Sequence, residues 1–163
     1  MTVQSEQQLE NALIAQLQTL GYQRIKIQDE AQLLSNLKTQ IEHANGLRPL
    51  SLSEWEQVIS VLTTGTLFEW AQELRDKFPV KFDDGSSQHI YFLNADPSKN
   101  TYQVSNQIQI DHKAINGHTS RFDVTLLVNG LPLVQIELKK RGMEIAEAFH
   151  QTQRYSSAAY AAG

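Results

Sequence analysis

Asp123 and Glu137 are the residues of this chain whose surroundings call for chemistry. Each stands between apolar neighbours, Phe122 and Val124 for the first and Ile136 and Leu138 for the second, in stretches that read as β-strands. A carboxylate in such a strand is costly unless its charge is offset. A divalent cation would offset it, and oxygen ligands suit Mg²⁺. Lys139 follows Glu137 by two residues, so in a strand both side chains leave the same face. Two acids holding one or two Mg²⁺ ions with an ammonium beside them make the set that phosphodiester hydrolysis needs. The metal polarises the phosphate and helps ionise a water; the lysine stabilises developing charge or orients that water. A buried Asp–Lys–Glu ion network without metal is the competing reading, and spacing alone does not separate the two.

The acids sit on two strands, Arg121 to Val128 and Leu133 to Lys139, with Asn129-Gly130 between them as a strong hairpin signal. A two-residue turn pairs Val128 with Leu131 and Asp123 with Ile136, which puts the acids on opposite faces. A shift of one residue brings Asp123 opposite Glu137. A shared metal therefore predicts a three-residue loop or a β-bulge near Asn129–Pro132, where Pro132 lacks a ladder donor.

Further candidates follow the hairpin. Lys139, Lys140 and Arg141 are consecutive. Residues 1–112 hold eight Lys/Arg against fourteen Asp/Glu, and residues 113–163 hold six against four. In a chain of net charge −4, DNA contact belongs to the C-terminal third, with Lys139, Lys140, Arg141 and Arg154 as contacts. Met143 to Ala162 reads as a long helix on which Gln151 and Tyr155, four apart, share a face. They could steady the water network or touch the DNA backbone; seen alone, they read as a surface Gln and a half-buried Tyr.

The remaining elements must position this hairpin. Ser5 to Leu20 reads as an amphipathic helix on Leu9, Leu13, Leu17 and Leu20, with a Ser5/Gln8 capping box and Gly21 as its stop. Tyr22 to Ile27 alternates like a strand, and Glu30 to His43 reads as a helix ended by Asn45-Gly46. Capping boxes at Ser53/Glu56 and Thr66/Glu69 predict helices to about Leu62 and Lys77, with Pro79 closing the second and Trp55 and Trp70 packed among them. His89 to Leu93 and Tyr102 to Ile110 read as strands joined through a turn at Asp96-Pro97, and His112 to Ser120 as loop. The result is an α+β sandwich: helices, a mostly antiparallel meander, and a closing helix.

The absence of cysteine excludes disulfides, thiolate zinc sites and cysteine nucleophiles. The five histidines form no metal-ligand pair at helical spacing, and no phosphate loop or dinucleotide fingerprint is present. No apolar run reaches membrane-spanning length and no signal peptide opens the chain, so a cytoplasmic protein without a membrane partner is expected.

The stretch from Arg121 to Gly142, RFDVTLLVNGLPLVQIELKKRG, closely resembles the nuclease motif in restriction (R) subunits of type I restriction enzymes, within the PD-(D/E)xK superfamily. Glu147 to Ser156 is similar to that group's Q-x-x-x-Y motif, and the segments at Ser5–Ile14, Gly21-Tyr22, Leu34–Lys38 and Ser53–Trp55 are similar to the family's N-terminal region. The resemblance implies a restriction-endonuclease-like fold: one domain over 1–163, a mostly antiparallel or mixed central sheet flanked by helices, a helical insertion at about 30–77 and a catalytic hairpin at 121–140. It implies Asp123 and Glu137 as metal ligands for Mg²⁺ (Mn²⁺ substituting), Lys139 as the catalytic lysine, and Gln151 and Tyr155 as accessory residues. Glu6 or Glu10 would match a helix-borne acid near the site, although Glu10 otherwise reads as an exposed-face residue. Phe122 stands where the superfamily often has proline. The family's subunits continue into an ATP-driven DNA motor and work with modification (M) and specificity (S) subunits to cut double-stranded DNA. Nothing in this sequence corresponds to the motor, so an N-terminal fragment of low isolated activity is expected. Two other readings stand beside the endonuclease: a catalytically silent docking module of the same subunit, and a stand-alone DNA-repair nuclease.

Overall fold

The computed structural model describes residues 5–64, 66–111 and 119–139. The helix expected at 143–162 and most of the loop expected at 112–120 lie outside them. The chain divides into two compact units.

The first unit contains residues 1–33, 102–127 and 132–163. Its helix α1 (Glu6–Thr19) opens with the expected capping box, Gln8 N–H donating to Ser5 Oγ at 3.2 Å and Ser5 N–H to Gln8 Oε1 at 2.9 Å. The buried face runs through Glu10, Ile14 and Leu17. The expected leucine stripe is therefore rotated, and Leu20 is 71% exposed.

Strand β1 (Gln23–Arg24) covers only two of the six residues expected to be extended, and it pairs in parallel with β4 (Tyr102–Asp111). The ladder breaks because Ile27 N–H donates to the Ser105 hydroxyl, at 3.1 Å, and Gln107 takes a left-handed φ of 58° inside β4. Pairing with the chain after β1 resumes where Gln109 N–H donates to Gln28 C=O at 2.9 Å.

Strands β5 (Thr119–Val128) and β6 (Leu131–Ile136) complete a mixed sheet of order β1-β4-β5-β6. One cluster gathers Ile14 and Leu17 of α1 with Val104 and Val124, joined by Leu126, Ile136 and Leu138. A second gathers Ile27, Ile108 and Leu127 with Ile25, Leu33 and Ile110. Each such fully buried aliphatic side chain contributes about 1.5–3 kcal/mol of transfer free energy. The structure is the α+β, restriction-endonuclease-like arrangement that the sequence predicts.

The second unit contains residues 34–101 and 128–131. It holds most of α2 (Glu30–Ala44), α3 (Leu52–Thr63), α4 (Leu67–Glu73) and the antiparallel pair β2 (Lys77–Lys81) and β3 (Ser87–Tyr91). Leu37, Ile41, Val58, Val80, Ile90 and Phe92 lie in its core, with Trp55 packed against them. The Trp70 indole donates to Thr64 C=O at 3.1 Å.

Three expectations are corrected in this unit. The box that caps α3 is Ser51/Glu54, two residues before Ser53/Glu56. Ser53 Oγ is instead bound to Asp83 at 2.8 Å. The helix expected to reach Lys77 stops at Glu73, and Pro79 lies inside β2 opposite His89. The third concerns β3, which pairs with β2 and not with β4; the turn at Asp96-Pro97 is a single 3-10 turn, Pro97–Lys99.

The turn between β5 and β6 has two residues, Asn129 and Gly130, with φ of 49° and 82°. Positive φ at both positions is the type I′ geometry that suits the twist of a hairpin. Asn129 is buried, and its amide donates to Phe92 C=O at 2.9 Å and Asn100 Oδ1 at 2.8 Å while Thr101 N–H donates to it at 2.8 Å. A Cβ on Gly130 would stand 2.6 Å from Leu37 Cα.

Candidate active site

Asp123 is half-buried on β5, and its Oδ2 accepts from Leu138 N–H at 2.9 Å. The Asp123 charge and backbone amide in turn act on the Glu137 carboxyl. Asp123 thus holds the backbone beside Glu137, with Lys139 close enough for its charge to act on Glu137.

This convergence does not arise as the sequence predicts. The three-residue loop is not there; the turn has two residues. Instead β6 ends at Ile136, so Glu137 and Lys139 lie beyond the ladder and do not share a strand face. Ile136 and Leu138 pack into the cluster around Val124, and Glu137, between them, turns to Asp123.

Burial raises the Glu137 carboxyl from the ordinary 4.5 to about 7, and the negative charge of Asp123 pushes it the same way. The cations of Lys139 and Arg121 and the hydrogen bond from Asp123 N–H pull it down. Two carboxylates that resist joint ionisation form an oxygen donor set whose repulsion a divalent cation would relieve, so Asp123 and Glu137 fit Mg²⁺. Among the described residues no group of three or more His, Asp or Glu side chains is arranged to hold a metal.

Residues 3–161 match the family of type I restriction enzyme R protein N termini. The chain belongs to that family. It is 42% identical over 165 aligned positions to the type I restriction enzyme SauMSSORF170P endonuclease subunit of Staphylococcus aureus (strain MSSA476), covering 98% of this chain and 17% of that relative. It is 37% identical over 163 positions to the type I restriction enzyme EcoprrI endonuclease subunit of Escherichia coli, covering 96% of this chain and 51% of that relative. The chain thus spans 17% of the length of the first of these curated relatives and about half of the second.

In this R-protein N terminus, Asp123 lines an open cleft of about 1040 Å³ that Glu6 and Glu10 of α1 also line. Glu6 is half-buried. Glu10 is only 3% exposed, which corrects the expectation of an exposed-face residue. The physical reason is a set of amides: Asn106 Nδ2 and Gln107 Nε2 each donate to it at 2.6 Å, and Gln7 Nε2 at 3.2 Å. The left-handed backbone of Gln107 belongs to this arrangement, and strain of that kind gathers at functional sites. Asn106 and Gln107 were missed from sequence; the run Ser105-Asn106-Gln107, where Asn106 breaks the apolar–polar alternation of the strand, was their signal. Gln151, Tyr155, Lys140, Arg141 and Arg154 lie outside the described residues.

Proposed function

We propose that this chain is the nuclease module of a type I restriction R subunit and hydrolyses phosphodiester bonds of double-stranded DNA with Mg²⁺. The observation that carries this reading is the meeting of Asp123 and Glu137, with Asp123 bonded to the Leu138 amide, the two acids electrostatically opposed and Lys139 beside them. Asp123 and Glu137 would hold Mg²⁺, with Mn²⁺ as a substitute. Bound there, the ion supplies Lewis acidity toward the phosphate and lowers the pKa of a water. Lys139 offsets charge on the phosphate and keeps Glu137 ionisable near neutral pH. Glu10 is held on the cleft wall by the Asn106 and Gln107 amides. Gln151 and Tyr155 act as accessory residues, and Lys140, Arg141 and Arg154 as backbone contacts.

In the whole enzyme, this module cuts foreign DNA in the cytoplasm, delivered by the ATP-driven motor of the same subunit in complex with M and S subunits. Calorimetric titration of Mg²⁺ and Mn²⁺ into the wild-type and Asp123→Asn chains tests the metal site; equal binding by both removes Asp123 as a ligand. An Asp123→Ala chain that still supports cleavage in the assembled enzyme makes this a docking module. Vigorous cutting by the chain without ATP or partner subunits makes it a stand-alone repair nuclease.

A further inference from the structure

Three cations line the same cleft as Glu10 and Asp123: Arg24 at the end of β1, Lys26 two residues on, and Arg121 on β5. All three are exposed. In the sheet order β4 lies between β1 and β5, so at the usual strand spacing the two cationic rows are about 10 Å apart.

The simplest account makes these cations counter-charges for the cleft acids. The hydrogen bonds argue against it. Glu10 takes its donors from the Gln7, Asn106 and Gln107 amides, and Asp123 takes Leu138 N–H. Among the described residues the ion pairs are Lys38–Glu42, Arg48–Glu54 and Lys99–Asp96, and none involves Arg24, Lys26 or Arg121. Among the described residues, Arg24 and Lys26 therefore face solvent across the cleft with no hydrogen-bonded or ion-paired carboxylate, and Arg121 reaches Glu137 only through its charge. Between the two rows the lining is neutral amide, with Gln28 and Gln109 exposed. Such a surface offers hydrogen-bond donors to phosphate and sugar oxygens. The cleft is also at the upper end of small-molecule pocket size, and its lining is polar rather than apolar. In a chain of net charge −4, a polyanion has to be met by locally gathered cations.

We propose that Arg24, Lys26 and Arg121 grip the phosphates of duplex DNA across this cleft and hold the backbone over the acids. The proposal rests on the nuclease reading and names how that site holds its substrate. It is tested by fluorescence anisotropy of a short labelled duplex titrated with the chain, Ca²⁺ replacing Mg²⁺, over a range of salt. Each phosphate contact adds about 0.9 to the slope of log affinity against log salt. The slope for Arg24→Ala/Lys26→Ala/Arg121→Ala should be shallower than wild type by about 3, and for each single variant by about 1. An Arg24→Lys/Arg121→Lys chain, which keeps the charges, should retain the wild-type slope and shows that any loss comes from charge and not from misfolding. A triple variant with the wild-type slope overturns the track and leaves the nuclease reading standing. An Asp123→Asn chain that still binds Mn²⁺ like wild type, beside a triple variant with the shallower slope, overturns the nuclease assignment and supports the track.

Discussion

Replacing Asn129 by alanine tests the turn that sets the hairpin. The side chain is 1% exposed and makes three hydrogen bonds, to Thr101 N–H, Phe92 C=O and Asn100 Oδ1. Asn100 Oδ1 keeps a second donor, Asn94 N–H at 2.8 Å, so alanine strands two backbone groups, Thr101 N–H and Phe92 C=O. Each stranded buried group costs about 1–3 kcal/mol. Alanine at φ 49° adds about 1 kcal/mol for a left-handed backbone that asparagine tolerates. Asn129→Ala should therefore lose about 3–7 kcal/mol, a large part of the roughly 5–15 kcal/mol that stabilises a domain. Guanidinium denaturation followed by the fluorescence of Trp55 and Trp70, which lie in the same unit as the turn, reads this loss. Asn129→Gly separates the two contributions, since it removes the bonds and keeps the backbone: it should retain about 1 kcal/mol more than alanine. An alanine variant within about 0.5 kcal/mol of wild type, the range of ordinary surface substitutions, would refute the reasoning.

Other perturbations give separate checks. Gly130→Ala puts a Cβ 2.6 Å from Leu37 Cα at φ 82° and should cost about 2 kcal/mol or more in a denaturant titration; an unchanged midpoint removes the close approach. Arg48 holds Glu54 through two bonds, at 2.8 and 2.7 Å, and with donation from Ser51 and Asp83 N–H lowers its carboxyl to about 2. A carboxyl lowered in the folded state contributes stability that is full above the unfolded value and lost as pH falls through the folded one. Stability should thus drop between about pH 4 and about pH 2, and Glu54→Gln should flatten that part of a midpoint-against-pH curve. A curve unaltered by the substitution contradicts the Arg48 bond. At Gln107, glycine relieves the left-handed backbone while losing one bond to Glu10, so thermal unfolding should shift by less than about 1 kcal/mol. Gln107→Val should be worse than glycine by about 1–2 kcal/mol, and equal melting of the two would show that the backbone is not held there.

What could be read from sequence was what short-range chemistry decides. The Ser5/Gln8 and Thr66/Glu69 caps and the Asn129-Gly130 turn each depend on residues a few positions apart. Where two local patterns overlap, a distant partner chooses. Ser51/Glu54 prevails over Ser53/Glu56 because Glu54 also receives Arg48 and Asp83 N–H. Pro79 reads as a helix stop, yet β2 accommodates it because a two-stranded sheet leaves each strand with an open side. The candidate acids were legible because they interrupt apolar strands. Their route to each other was not, since it depends on where β6 ends and on the packing of Ile136 and Leu138. Glu10 was misread for the same reason: the amides that bury it come from 96 and 97 residues away.

The bond from Leu138 N–H to Asp123 bears on how any knockout at this centre is interpreted. Shortening residue 123 to alanine deletes a carboxylate and also frees Leu138 N–H, and with it the anchor of the segment that carries Glu137. Loss of activity in such a variant is confounded, because one substitution disables both sides of the pair. Asparagine at 123 keeps an oxygen for that amide, so it alone separates ligation from scaffolding.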